Sequence, residues 1–356
     1  MLKARQCVIE TRAYASPSSD PSLELRLDLN ENTSGCSERV LARLRSLDAK
    51  KLALYTPREP GEKLAADFLG IRPSETLLTN GADEGIDLLC RAYLDHDDEM
   101  VIVTPAFSMY EVFCQSTGAR TIRVPAAPEF AFPVEGMLRA ITPRTRMIII
   151  TNPNNPTGIA ADRKDILRVI EAAPDAAVLV DEAYFDFHGQ TLMDQIGRIP
   201  NLFITRTFSK AYGLAGVRIG ILAGAEEQIS LVRRLPAPFN LNVFALECLE
   251  EALADTESVQ AYVDQVRRGR ERLRQELTAL GVKCWPSEAN FILADFGGRC
   301  ESLLAAMARQ SIALRPRPDL PGCIRITIGT PQEMDRVIAA LRQFMNAQPG
   351  SKQAVS

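Results

Sequence analysis

Arg146-Met147-Ile148-Ile149-Ile150-Thr151 and, one helical interval later, Ala177-Val178-Leu179-Val180-Asp181 are short runs without polar alternation. A strand with one wet face alternates polar and apolar residues. One that is apolar on both faces belongs in the middle of a parallel sheet covered by helices. Working outward, further strands are expected at 76–79, 100–103, 121–124, 202–205 and 219–223, and helices at 85–94, 109–117, 134–140 and 163–172. This alternation predicts an α/β domain with a mostly parallel sheet and right-handed crossovers. Beyond Pro236–Pro238 the texture changes to long helical periods at 244–253 and 258–280, then short strands at 282–285, 290–295, 312–315 and 323–328 with helices at 301–310 and 333–345. That pattern predicts a second, smaller α+β domain. The expected division is an N-terminal arm at 1–35 that joins the small domain, a large domain at 36–238, a small domain at 239–348 and a disordered tail at 349–356.

The composition of the 356 residues is ordinary for a globular protein, with 46% hydrophobic and 24% charged residues. A net charge of −4 supplies no basic field for nucleic acid or an anionic membrane, and neither partner is expected. Eight scattered cysteines contain no CxxC pair, which argues against a zinc knuckle or a dithiol motif. His96 and His188 are the only histidines and lie far apart, so no metal site is expected. No apolar leader precedes residue 25 and no run of about 18 apolar residues occurs, so a soluble cytoplasmic protein is expected.

In open parallel sheets, ligands gather beyond the carboxyl ends of the strands. After strand 76–79 comes Asn80-Gly81-Ala82-Asp83-Glu84-Gly85, a glycine turn entering a helix. Such a start suits an anion, or is a plain turn with Asp83 as N-cap. After strand 146–151 comes Asn152-Pro153-Asn154-Asn155-Pro156-Thr157-Gly158, a loop stiffened by two prolines that can hold an amide in place. Asp181 closes a wholly apolar strand, which is costly unless the acid meets a cation, and Tyr184 sits three residues on. Strand 202–205 leads into Arg206-Thr207-Phe208-Ser209-Lys210. Lys210, following a buried strand, reads as a desolvated amine of lowered pKa, and Thr207, Ser209 and Arg218 can together grip a phosphate.

One cofactor uses this whole set: pyridoxal 5′-phosphate, which needs a lysine, a carboxylate for its ring nitrogen and a phosphate pocket. Asp181 would keep that nitrogen protonated, each unit of raised ring pKa being about 1.4 kcal/mol. Asn155 and Tyr184 would bond the ring's phenolic oxygen.

Asn154-Asn155-Pro156-Thr157-Gly158, Asp181-Glu182-Ala183-Tyr184 and Ser209-Lys210 with Arg218 resemble the class I/II, fold-type I pyridoxal-phosphate-dependent aminotransferases. Leu27-Asp28-Leu29-Asn30-Glu31-Asn32, Tyr55 within Leu54-Tyr55-Thr56-Pro57, Gly81–Ile86 and Cys323-Ile324-Arg325-Ile326-Thr327-Ile328-Gly329-Thr330 resemble the histidinol-phosphate aminotransferases, over roughly residues 14 to 341. The resemblance implies that Lys210 is the Schiff-base lysine and proton shuttle, and that Asp181 pairs with the ring nitrogen. It implies phosphate contacts from Ala82, Asp83, Thr207, Ser209 and Arg218, with Phe107 where the family stacks a tyrosine. Tyr55 would reach the cofactor of a neighbouring subunit, implying a homodimer with shared active sites. Arg325 would clamp the substrate's anionic group, with Arg315, Tyr14 and Asn30 as further substrate contacts; Arg315 and Arg317 read equally well as a solvated loop.

The implied reaction moves an amino group from a donor, glutamate, to a keto acceptor, imidazole acetol phosphate, in histidine biosynthesis. Other amino-acid or natural-product aminotransferases and threonine-phosphate decarboxylase-like enzymes share these motifs, because the bond cleaved depends on its orientation to the ring. A non-catalytic regulator built on the same fold would carry a DNA-binding module, and no basic extension suggests one here. The departures fall where substrate is read: Thr33 stands where the family has proline, Ser34-Gly35-Cys36-Ser37 is atypical, and the stretch from Arg315 to Arg325 is short.

Overall fold

The computed structural model describes residues 2–11, 13–14 and 23–347. The expected tail at 349–356 and part of the arm lie outside the described residues. The strands in chain order are β1 (Leu25–Leu27), β2 (Thr76–Thr79), β3 (Glu99–Thr104), β4 (Arg120–Pro125), β5 (Thr145–Thr151) and β6 (Ala177–Asp181). They continue with β7 (Leu202–Thr207), β8 (Gly220–Gly224), β9 (Lys283–Cys284), β10 (Phe291–Asp295), β11 (Ile312–Pro316) and β12 (Cys323–Thr327).

Seven of them form one sheet in the order β2-β8-β7-β6-β5-β3-β4. β4, β3, β5, β6 and β7 are mutually parallel, and only β8 runs against its neighbours. The two-faced apolar runs behave as their composition requires. Ile149, Leu179 and Phe203 point to one layer with Leu88 and Leu89 of the helix Ala82–Tyr93. Ile148, Ile150, Val178, Val180 and Ile204 point to the other, with Ile166, Val169 and Ile170 of the helix Arg163–Ala172. Each such side chain contributes about 1.5–3 kcal/mol by leaving water, which makes this double-sided layer the stiff platform on which the strand ends are held.

The second sheet has the order β1-β11-β12-β10-β9. β1, near the N-terminal end, pairs in parallel with β11, Leu25 opposite Ile312. Helices Thr256–Ala279 and Pro331–Asn346 cover this sheet, packing Val263, Val266, Leu273, Val337 and Leu341 against Phe291, Ile324 and Ile326. Helix Val243–Ala254 packs Ala245, Cys248 and Leu249 against Leu78, Phe208 and Ile221 of the larger unit. The sequence texture groups these residues with the smaller unit; their buried side chains pack against the larger one. Tyr184, Phe187 and Ala211, from the segments after β6 and β7, enter the smaller core beside Leu27 and Phe291. The two layers therefore share side chains where the strand ends open. No helix among the described residues is long and apolar enough to cross a membrane.

Candidate active site

The carboxyl ends of β3, β5, β6 and β7 open on a cavity of about 280 Å³ whose far wall is the smaller sheet and the segment Leu29–Glu31. Lining it are Ala82, Asp83, Phe107, Asn155, Asp181, Tyr184, Thr207, Ser209, Lys210 and Arg218, together with Tyr14, Asn30, Arg315 and Arg325. Of the site residues picked out from sequence, only Tyr55 lies elsewhere. It is 80% exposed and stacked on Phe239, ring centroids 4.6 Å apart.

Asp181 ends β6 in a fully buried position. Its Oδ2 accepts the Tyr110 hydroxyl at 2.6 Å and its Oδ1 the Ala183 N–H at 2.9 Å. Burial raises its pKa to about 6 against the pull of both donors. Lys210 follows β7 and donates to the Leu29 carbonyl at 3.0 Å. Burial, and next the charge of Arg325, lower its amine to about 8. The lysine thus lies far closer to neutrality than a surface lysine, which lets it give up and regain a proton there.

Arg218 adopts φ +62°, a left-handed conformation that costs a non-glycine residue about 1 kcal/mol or more, and ion-pairs with Asp83 at 3.2 Å. Its guanidinium lies where a side chain at Gly81 would fall, and Gly81 is itself at φ +76°. Gly81, rather than Asp83, is the N-cap of the helix Ala82–Tyr93, and no side chain caps that end. A helix N-terminus, Arg218 and the hydroxyls of Thr207 and Ser209 accordingly face one corner of the cavity, a donor set suited to a phosphate.

Arg325, on β12 and fully buried, donates to the Asn155 side-chain oxygen at 2.6 Å and to the Asp28 carbonyl at 2.6 Å; burial lowers its pKa to about 10. With its oxygen engaged by Arg325, Asn155 has its NH2 group left to donate at the cavity wall. Asn30 donates to the Tyr184 hydroxyl at 2.8 Å, leaving the phenol its own proton to give. Asn30 is in turn fixed by its N–H to Thr327 at 3.1 Å and by Asn290, which donates to its carbonyl at 3.0 Å. The asparagine loop is held from the smaller unit too: Gly158, at φ +77°, abuts Ser287, and its carbonyl accepts the Glu288 N–H at 2.7 Å. Thr33, in the atypical segment, donates to Glu333, which caps the helix Pro331–Asn346.

Two contributors, Tyr110 and Thr151, have no role in the sequence reading, and a third, Arg317, is left open there as a solvated loop. Tyr110, the second residue of the helix Met109–Thr117, meets the ring of Phe107 from the loop before that helix edge-on, centroids 5.5 Å apart; its closeness in sequence to Phe107 was its only signal. Thr151 bonds the Tyr110 hydroxyl at 2.8 Å. Arg317 lines the cavity, donating to Asp319 at 2.7 Å and to the Ala106 carbonyl at 3.3 Å. Arg315 reaches the Tyr14 hydroxyl at 3.4 Å.

This combination of a mostly parallel α/β layer, a smaller α+β layer and a buried lysine and aspartate at their junction defines a fold-type I enzyme. The family model "Aminotransferase class I and II" matches residues 24–341, and the chain belongs to that family; it is an aminotransferase. It is 35% identical over 336 residues to histidinol-phosphate aminotransferase 2 of Methylococcus capsulatus, covering 90% of each chain. It is also 35% identical over 332 residues to the histidinol-phosphate aminotransferase of Roseiflexus castenholzii, covering 90% of this chain and 89% of the relative. Among solved structures, histidinol-phosphate aminotransferase from Sinorhizobium meliloti in complex with pyridoxal-5′-phosphate superposes with a TM-score of 0.88 at 23% identity, covering 98% of this chain and 99% of that one. Aspartate aminotransferase from Thermus thermophilus with maleate gives a TM-score of 0.83 at 25% identity, covering 98% and 100%.

Proposed function

We propose that the chain is a pyridoxal-phosphate-dependent histidinol-phosphate aminotransferase, acting as a cytoplasmic homodimer with shared active sites. The observation that carries this reading is that Lys210, Asp181 and Arg325, from three separate segments, line one cavity beside a phosphate-suited corner.

The residues fit the cofactor. Each Asp181 oxygen accepts one hydrogen bond from the protein, which leaves lone pairs for a ring N–H. Asn155 and Tyr184 both retain donors for an anionic ring oxygen. Ala82, Asp83, Thr207, Ser209 and Arg218 would hold the phosphate, and Phe107 would cover the ring. When bound, the cofactor supplies an aldehyde that condenses with amines and a ring that delocalises the electron pair left on the amine-bearing carbon.

The rest is work for this chain's own side chains. Arg325 binds the carboxylate of the amino donor, glutamate. Lys210, with its lowered pKa, carries the proton to and from the amine-bearing carbon. Arg315, Tyr14 and Arg317 stand at the outer wall, where the phosphate of imidazole acetol phosphate would lie, and Asn30 positions Tyr184. Leu29–Glu31 shields the amine from bulk water. Tyr55, exposed and stacked on Phe239, is free to reach a second copy's cofactor phosphate, which supports the homodimer.

The test is a single-turnover assay with stoichiometric cofactor. Glutamate should yield one equivalent of 2-oxoglutarate, and histidinol phosphate should be converted faster than common amino acids. Release of carbon dioxide without any keto acid would overturn transamination, and indifference to histidinol phosphate would overturn the substrate.

A further inference from the structure

We propose that Tyr110 is a positioning residue that keeps Asp181 ionised, through a directed chain of hydroxyls running from Thr151 to Tyr110 to Asp181. This rests on the functional reading above, in which an ionised Asp181 must meet a protonated ring nitrogen.

The direction of the chain follows from what each group can donate. An ionised carboxylate only accepts, so the proton in the 2.6 Å contact belongs to Tyr110. The Tyr110 oxygen can then only accept from Thr151, 2.8 Å away, which makes Thr151 the donor. Burial first, and the neighbouring Asp181 next, push the Tyr110 phenol well above its ordinary pKa, so it stays protonated and able to donate. The three residues sit on three elements that cannot shift independently. Thr151 of β5 is the register partner of Asp181 of β6, and Tyr110, 1% exposed, comes from the helix Met109–Thr117.

The chain is needed because burial and the nearby carboxylates oppose the charge on Asp181. Asp83, from the helix Ala82–Tyr93, and Glu182, the next residue along, both add to the effect of burial. Against them stand the Tyr110 hydroxyl and the Ala183 N–H. A hydroxyl polarised by a second hydroxyl is a better donor than one alone, so Thr151 strengthens the Tyr110 contact without touching Asp181 through its own side chain.

The test compares the full chain with Tyr110→Phe, Thr151→Val and Asp181→Asn, measuring the pyridoxal phosphate dissociation constant against pH by equilibrium dialysis. Subtracting the Asp181→Asn profile removes the titration of the cofactor's own phosphate. Tyr110→Phe should move the acid limb up by about one pH unit, giving binding weaker by about fivefold near pH 6 and unchanged near pH 8.5. Thr151→Val should move it the same way by less. The proposal is overturned if both limbs coincide with that of the unsubstituted chain, or if Tyr110→Phe weakens binding equally at every pH, as lost packing would. If Tyr110→Phe does not fold, the Thr151→Val limb decides alone. An unsubstituted chain that binds no cofactor would remove the functional reading, and this proposal with it.

Discussion

The Arg325 guanidinium donates to the Asn155 side chain at 2.6 Å, joining the smaller sheet to the asparagine loop of the larger one inside the cavity. The same group is the buried cation assigned to the donor's carboxylate. Arg325→Gln should therefore raise the KM for glutamate by about 10- to 200-fold, the loss expected of a charge-assisted contact worth about 1.5–3 kcal/mol. Cofactor affinity should stay within about threefold. Steady-state kinetics and dialysis check the pair; an unchanged KM would place the carboxylate elsewhere.

Lys210 lies in the cavity with its amine on the Leu29 carbonyl. Lys210→Ala should lower kcat by at least about a thousandfold, the scale of a lost general acid–base group, while the chain still binds pyridoxal phosphate noncovalently. Turnover near the native rate would refute the assignment. In the unsubstituted, cofactor-free chain the amine titrates at about 8, below its ordinary 10.5, so the unfolded state holds more protons between those values. Stability attributable to Lys210 should rise with pH across that window, a slope that Lys210→Met removes.

Asp181 gives the opposite slope. Its folded pKa of about 6 lies above the ordinary 3.8, so between them the folded chain holds the extra proton. The cofactor-free protein should lose about 2 kcal/mol of stability attributable to this group as pH rises from about 4 to 6. Asp186, also raised to about 6 by burial, adds a slope of the same sign, so the comparison must be with Asp181→Asn. Melting midpoints of the two proteins should converge near pH 4 and separate above 6, the variant being the more stable. Parallel curves would contradict this.

Behind the site, Glu182 is almost fully buried and accepts from Arg206 at 3.0 Å, from Thr191 and from the Leu192 N–H. Arg206 also covers the Phe185 ring at 3.5 Å. Removing one partner strands a buried charge, so Arg206→Met should cost about 3–5 kcal/mol, and the double variant with Glu182→Gln should recover part of it. Thermal unfolding of the three proteins measures the coupling. Additive losses would mean that the two side chains act independently.

The larger sheet was legible because runs such as Met147–Ile150 carry their environment in their composition: no polar residue means no wet face. The cavity residues were legible for a related reason, since Asp181 and Lys210 stand where an apolar strand ends and need a partner to be there. β1 was not legible, being three residues long with its partner strand near the other end of the chain. Tyr110 needed the orientation of its helix, and Gly158 needed Ser287, which only the fold brings beside it. The helix Val243–Ala254 shares its texture with the long helix Thr256–Ala279 just beyond it, and its packing against Phe208 and Ile221 of the larger unit is visible only in the fold.

The pairing of Leu25 with Ile312, and the ties from Asn30 to Asn290 and Thr327, also set an order of events during synthesis. The segment that shields Lys210 leaves the ribosome early, yet it has nothing to bind until strands made at the end of translation emerge. The nascent chain can shape the phosphate corner long before it can close the cavity over it, so catalytic competence arrives only with the last strands.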